Sequence, residues 1–347
     1  MWINRLIYIS GSVLILLTIM LVSCQEDVYP TDNEQLSHEE QIVIRFSHVV
    51  GENTPKGMAA LKFAELVKER SNGYIEVQVF PNGVLYKDGE ELNALLRGDI
   101  QMIAPAISKI TTLVPEWSVM DLPYAFQNAD EVHTYIESHV GQTLMTKLNT
   151  HNLLPMGVWD SGFKQLSNSI RPIKTVQDLQ GLRVRIMPSD ILAEQFSIVG
   201  AYPKHIDFNT VFHQLQKGNV DGQENTLTNI TSKNLYSLQD YLTISNHGYL
   251  GYLLLMNHEF WNSLPKDVQT LLIETLEEVE EWEWQLAEDL TAERLEEMEA
   301  CDCIQIHRLS DKDLEEWAST FEPVYRYYAD NYGKKYIEAL PKNQSQH

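Results

Sequence analysis

The sequence predicts an α/β protein of two lobes, each a parallel or mixed sheet wrapped by helices, with one long helix reaching across both. Three observations predict it. Short β-patterned runs alternate with helical ones from residue 42 to residue 104, the order a parallel sheet requires because its crossovers need helices. The same alternation restarts past residue 155. Beyond Pro265 a single helical pattern persists for about thirty residues, roughly 45 Å of helix and more than one lobe needs. The roughly 300 residues after the N-terminal region also exceed one comfortable hydrophobic core.

The elements follow in order. Ile42-Val43-Ile44-Arg45-Phe46 reads as a strand. Thr54 then offers a capping hydroxyl and Pro55 the first helical position. Ala59, Ala60, Phe63, Ala64 and Val67 recur at helical spacing until Ser71-Asn72-Gly73 stops the helix. Residues 75–80 alternate as a half-buried strand and end at the turn Pro81-Asn82-Gly83. A helix over 89–97 and a short strand over 101–104 complete the first unit. In the second half, 153–159 is apolar, 182–186 is β-like and 189–199 is helical. A short helix over 210–217 precedes an Asp221-Gly222 turn. Residues 249–256 carry too little polarity for a surface element and read as a buried strand. In the long helix Leu272, Leu276, Val279, Glu283, Leu286 and Leu290 lie near one stripe, and acids solvate the other faces. The lobes are expected over 41–161 with 251–290, and over 162–250 with 291–340.

The N-terminal residues read as a targeting segment. Arg5 precedes an apolar run from Leu6 to Val22, and a polar stretch begins at Gln25. This is the pattern of a secretory signal peptide over 1–23, and the small Ser23 before Cys24 fits the lipobox of a lipoprotein. On that reading the mature chain starts at a lipidated Cys24, and 24–40 forms a polar tether that anchors the protein to a membrane from outside the cytoplasm. The formal net charge of -23 excludes a nucleic-acid partner and gives no long-range steering to an anion, so an anion site must be built locally. Cys301 and Cys303 stand at a poor disulfide spacing, with no His or Cys cluster to suggest a metal. No cofactor is expected.

The stretch from Gly181 to Asn225 carries the chemistry. Arg185 in a short strand places a guanidinium near a buried strand end, a costly arrangement unless an anion meets it, and a carboxylate fits its fork of donors best. Forty residues on, the Asp-Gly turn delivers Gln223, Glu224 and Asn225 together, side chains that orient a small polar ligand. Each has a plainer reading: Arg185 could pair with Glu224, and Asn225 could cap a helix beginning at Thr226.

Several motifs stand in a known order. They are Phe46-Ser47-His48-Val49-Val50-Gly51, Asp121-Leu122-Pro123-Tyr124, Trp159 to Asn168, Asp178 to Arg185, Asp221 to Asn225 and Ser245-Asn246-His247. The chain resembles, over about 41–340, the dicarboxylate-binding (DctP-like) solute-binding proteins of tripartite ATP-independent periplasmic (TRAP) transporters. The resemblance implies the two-lobed periplasmic-binding-protein fold, closing on a small carboxylate-bearing ligand and docking on a membrane permease. It implies that Arg185 pairs with the ligand carboxylate, that Asn225 helps hold it, and that Phe208 lines the pocket floor. His48 and Val49 fall at the turn where first-lobe contacts are usual, and Trp159 would offer a flat wall. Lys164 falls where many members carry a second arginine, so a point charge replaces a fork; this weighs slightly against strict dicarboxylate specificity. Thr210 replaces a usual Glu, and Thr226 a frequent Pro.

The ligand expected is a sugar acid such as a uronate, a C4-dicarboxylate, or another oxo or hydroxy acid. A receptor presenting the same anion to a signalling partner is the rival. An enzyme is not expected: no nucleophile–base spacing is visible, and Glu224 is the one evident acid.

Overall fold

A computed structural model describes residues 41–341. The apolar N-terminal run, Cys24 and the expected tether lie outside the described residues. Among the described residues, no helix is long and apolar enough to cross a membrane.

The first half runs β1 (Ile42–Ser47), α1 (Pro55–Arg70), β2 (Ile75–Phe80), α2 (Glu91–Leu96), β3 (Met102–Ile103), α3 (Ile107–Ile110), α4 (Ala129–Glu137) and α5 (His139–Asn149). It leads into β4 (Leu153–Phe163), followed after one residue by β5 (Gln165–Asn168). The second unit is β6 (Arg183–Ile186), α6 (Asp190–Ile198), β7 (Tyr202–His205), α7 (Val211–Gln216), β8 (Gly222–Asn225) and α8 (Leu227–Ser232). After it come β9 (Tyr241–Ile244), β10 (Tyr249–Asn257), α9 (His258–Ser263), α10 (Lys266–Cys301), β11 (Gln305–Arg308), α11 (Asp311–Thr320), α12 (Glu322–Tyr332) and α13 (Lys335–Glu338).

Two sheets result. One has the order β2-β1-β3-β10-β4 and the other β11-β9-β5-β8-β6-β7. In the first, β1 is parallel to β2 and β3, while β10 runs antiparallel to β3 and β4. In the second, β6 is parallel to β7 and β8, and β5 is antiparallel to β8 and β9. The chain crosses between the sheets from β4 to β5 and returns from β9 to β10.

Local chemistry sets the elements. The Thr54 hydroxyl accepts the Gly57 N–H at 3.2 Å and caps α1, with Pro55 at the first helical position. The long helix α10 runs 36 residues and packs on α1, β4 and α8. Because β4 is an edge strand, its outward backbone groups need partners. Helix α10 supplies them: Glu280 accepts the Val158 N–H at 2.7 Å, Glu283 accepts the Asp160 N–H at 2.8 Å, and Trp284 donates to the Val158 carbonyl at 2.9 Å. That is why an acid, Glu283, sits in the apolar stripe. The helix ends at Asp302, whose left-handed backbone (φ 50°) turns the chain back and brings Cys301 and Cys303 to a Cα separation of 5.2 Å. The two are disulfide-bonded, against the sequence expectation; the turn, not the spacing, makes the bond possible.

Candidate functional site

The parallel strands of both sheets present their C-terminal ends to one pocket, where open α/β sheets place ligands. From the first sheet, Val49 and Val50 follow β1, Asp88 follows β2, and Ala106 and Lys109 follow β3. From the second, Arg185 and Met187 lie at the end of β6, Phe208 follows β7, Asn225 ends β8 and Asn229 stands on α8. Leu250 and Tyr252 of β10 complete the wall of the pocket.

The two arginines of β6 have opposite fates. Arg183, on the same strand face two residues earlier, forms a fork with Asp221 through contacts of 3.1 and 2.5 Å. Arg185 is 1% exposed, and its Nε donates to the Ile206 carbonyl at 2.8 Å. Among the described residues no carboxylate lies within ion-pair distance of its guanidinium. Burial pushes its pKa down to about 10, partly opposed by Glu224 and Asp207, so it stays charged at neutral pH. Its Cζ lies 6.0 Å from the centroid of the Phe208 ring.

Asn225 is oriented by the backbone. Its Oδ1 accepts the Thr226 N–H at 3.0 Å and the Asn229 Nδ2 at 3.1 Å, so the oxygen is spoken for and the Nδ2 donor is free of these contacts. Asn229 also donates to the Tyr252 hydroxyl at 2.9 Å. Thr226 adds a 2.8 Å hydroxyl contact with Ser161 of β4. A proline at 226 would have neither the N–H nor the hydroxyl.

Across the pocket, Lys109 forms an ion pair with Asp88, whose side chain is 1% exposed. Burial, followed by the charge of Arg185, lowers the Lys109 pKa to about 7. Asp88 also ties the two sheets together: its Oδ2 accepts the Phe208 N–H at 2.6 Å, and its own N–H donates to Asn209 Oδ1 at 2.9 Å. Asn209 Nδ2 donates to the Asn82 carbonyl at 3.1 Å, and Lys233 to Asn82 Oδ1 at 2.9 Å. Gly83 (φ 67°) sits against this seam, where an added Cβ would come within 2.8 Å of Asn209 Nδ2.

Four expected site residues are placed elsewhere. The Gly222–Asn225 segment is a strand rather than part of a turn. Gly222 is required there because a Cβ would meet the Ser167 carbonyl at 2.3 Å. Strand alternation then sends Glu224 to the face opposite Asn225. Glu224 pairs with Lys164 at 2.6 Å and His247 at 3.2 Å, all three buried. Burial raises the Glu224 carboxyl, but the Lys164 ammonium and the His247 ring bring it down to about 2. The Lys164 charge is therefore spent within the chain, and neither Lys164 nor Glu224 lines the pocket. Trp159 is fully buried in the core, with its ring 5.9 Å from that of Phe46. His48 is buried beside Phe46, and burial, then the charge of Lys56, lowers its pKa to about 3, so it is neutral. Val49, the next residue, does line the pocket, as do Arg185, Asn225 and Phe208.

Sequence reading missed Asp88, Lys109, Asn229 and Tyr252. Lys109 did leave a signal, a lysine two residues after Ile107 and just before Ile110. Asn229 stands four residues after Asn225, one helical turn.

Comparison with known proteins agrees with this geometry. The model of the DctP family, described as bacterial extracellular solute-binding protein, family 7, matches residues 46–331. The C4-dicarboxylate-binding protein DctB of Bacillus subtilis is 46% identical, over 90% of this chain and 89% of its own. The C4-dicarboxylate-binding periplasmic protein DctP of Rhodobacter capsulatus is 37% identical, over 87% of this chain and 90% of its own. A TRAP periplasmic solute binding protein from Shewanella oneidensis, solved with bound succinate, matches with a TM-score of 0.85 at 38% identity, over 87% of this chain and 99% of that one. With a pocket between two α/β sheets and a buried arginine at its wall, the chain belongs to family 7 of the bacterial extracellular solute-binding proteins, the solute-capturing components of TRAP transporters.

Proposed function

We propose that this protein captures a C4-dicarboxylate outside the cytoplasm and delivers it to a TRAP membrane permease. The observation that carries this reading is the buried Arg185 guanidinium, with no carboxylate of the described chain within ion-pair distance, next to Asn225 at the wall of the pocket. The similarity to C4-dicarboxylate-binding relatives supports this class over sugar acids. Ligand would enter while the sheets are apart, and contacts from both walls would stabilise closure. One charge-assisted fork contributes about 2–3 kcal/mol, against about 8 kcal/mol for micromolar affinity, so the amide contacts and the packing on Phe208 and Tyr252 supply the rest.

Calorimetric titration with succinate tests the reading. Wild type should bind, and Arg185→Ala should bind about 30- to 160-fold more weakly, the equivalent of that fork; an unchanged affinity would remove Arg185 from the site. A lipid on Cys24 would hold the protein at the membrane. In cell fractionation, Cys24→Ser should then move it from the membrane to the soluble fraction, and an unchanged distribution would exclude the anchor.

A further inference from the structure

Arg185 and Asn225 offer donors for one carboxylate, from the second sheet. A second cation lines the same pocket from the first. Lys109 stands on α3 between Ile107 and Ile110, both buried, and its side chain is 11% exposed. Its acidic contact is Asp88, which is itself fixed by the Phe208 N–H and by Asn209. An ammonium has three donors, and one carboxylate neighbour leaves some of them for the pocket. Asp88 offsets only one of the two lining cations. One more cation stands near the wall: Lys233 Nζ is 5.7 Å from the centroid of the Phe208 ring.

We propose that Lys109 is the specificity-determining residue for a second carboxylate. Arg185 takes one carboxylate of the ligand, Lys109 takes the other, and Asp88 is the positioning residue that holds the ammonium at the first-sheet wall. The pocket then selects short dicarboxylates over acids of the same length that carry a single charge. This role passes to Lys109 because Lys164, the cation expected from sequence, is neutralised by Glu224. It rests on the reading that Arg185 binds a carboxylate.

The test is calorimetry on the whole chain with succinate and with its monoamide, succinamate, which keeps the length and loses one charge. Wild type should prefer succinate by about 100-fold, and Lys109→Gln should reduce the preference below about tenfold, mainly through weaker succinate binding. Lys109→Met, which keeps the apolar stem, gives the same reading if the glutamine variant does not fold. A Lys109 variant that keeps the wild-type preference overturns the proposal. So does a wild type that binds both acids equally yet loses both on Arg185→Ala; that result leaves the Arg185 reading intact. A wild type that binds neither acid overturns both.

Discussion

A one-residue step along β8 separates binding from framework. Asn225 lines the pocket, while Glu224 turns away to meet Lys164 and His247. Residue identities alone do not reveal this, because the side assigned to each follows from the strand period once the segment is known to be a strand. Arg185 was legible for a different reason: a guanidinium in an apolar strand is costly wherever the strand packs. The partner of Lys164 was not legible, because that counter-ion comes from a strand sixty residues away, a pairing only tertiary structure makes. The ion pair is a stability element, and its variants should behave so. Lys164→Met or Glu224→Gln leaves an uncompensated buried charge and should cost about 3 kcal/mol of unfolding free energy. Replacing both by Met and Leu should recover most of that loss. Succinate affinity should change by less than about threefold, well below the effect on a charge-assisted ligand contact. If Lys164→Met instead abolished succinate binding at unchanged stability, Lys164 would belong with the ligand after all.

Among the elements, α10 shows what a periodic pattern can and cannot say. Its stripe of Leu272, Leu276, Val279, Glu283, Leu286 and Leu290 predicted a long packed helix, and all are buried except Leu286, which is half-buried. Glu283 stood in the stripe as an unexplained acid and Glu280 among the solvating ones, yet both close the open edge of β4 by accepting its N–H groups. The cost appears in their protonation. Burial raises the Glu283 carboxyl well above the usual range and pushes Glu280 up to about 7; Asp160 and Glu277 push Glu280 the same way, while the Val158 N–H and His133 oppose. An acid whose pKa is raised on folding holds a proton that the unfolded chain has already released, so its contribution to stability is lost as pH rises from about 4.5 to 7. Glu224, lowered to about 2, acts in the opposite sense between about 2 and 4.5. In thermal denaturation from pH 4.5 to pH 7, Glu280 and Glu283 therefore draw stability down as pH rises, against the opposite pull of His48, which burial keeps neutral. Glu280→Gln should flatten that fall by on the order of 1 kcal/mol; an identical profile in the variant would show that Glu280 is already ionised at pH 5.

For the whole molecule, the order of elements was written plainly enough to predict two sheets and a long helix. The antiparallel insertion of β10 between β3 and β4 was not, since a uniformly apolar strand carries no mark of its direction. The seam from Asn82 and Asp88 to Phe208, Asn209 and Lys233 was also hidden, because it joins segments more than a hundred residues apart through common polar side chains and backbone groups. The shared β10 has a consequence for how the molecule comes into being. Leu255 pairs with Ile103, so the first sheet stays unfinished until a strand some 150 residues later has been made, and its edge waits for α10 after that. Such distant pairings delay folding, since the chain must close a long loop before any contact repays it. The first core therefore closes late in synthesis, and the chain stays open longer than one whose first sheet is built from consecutive strands.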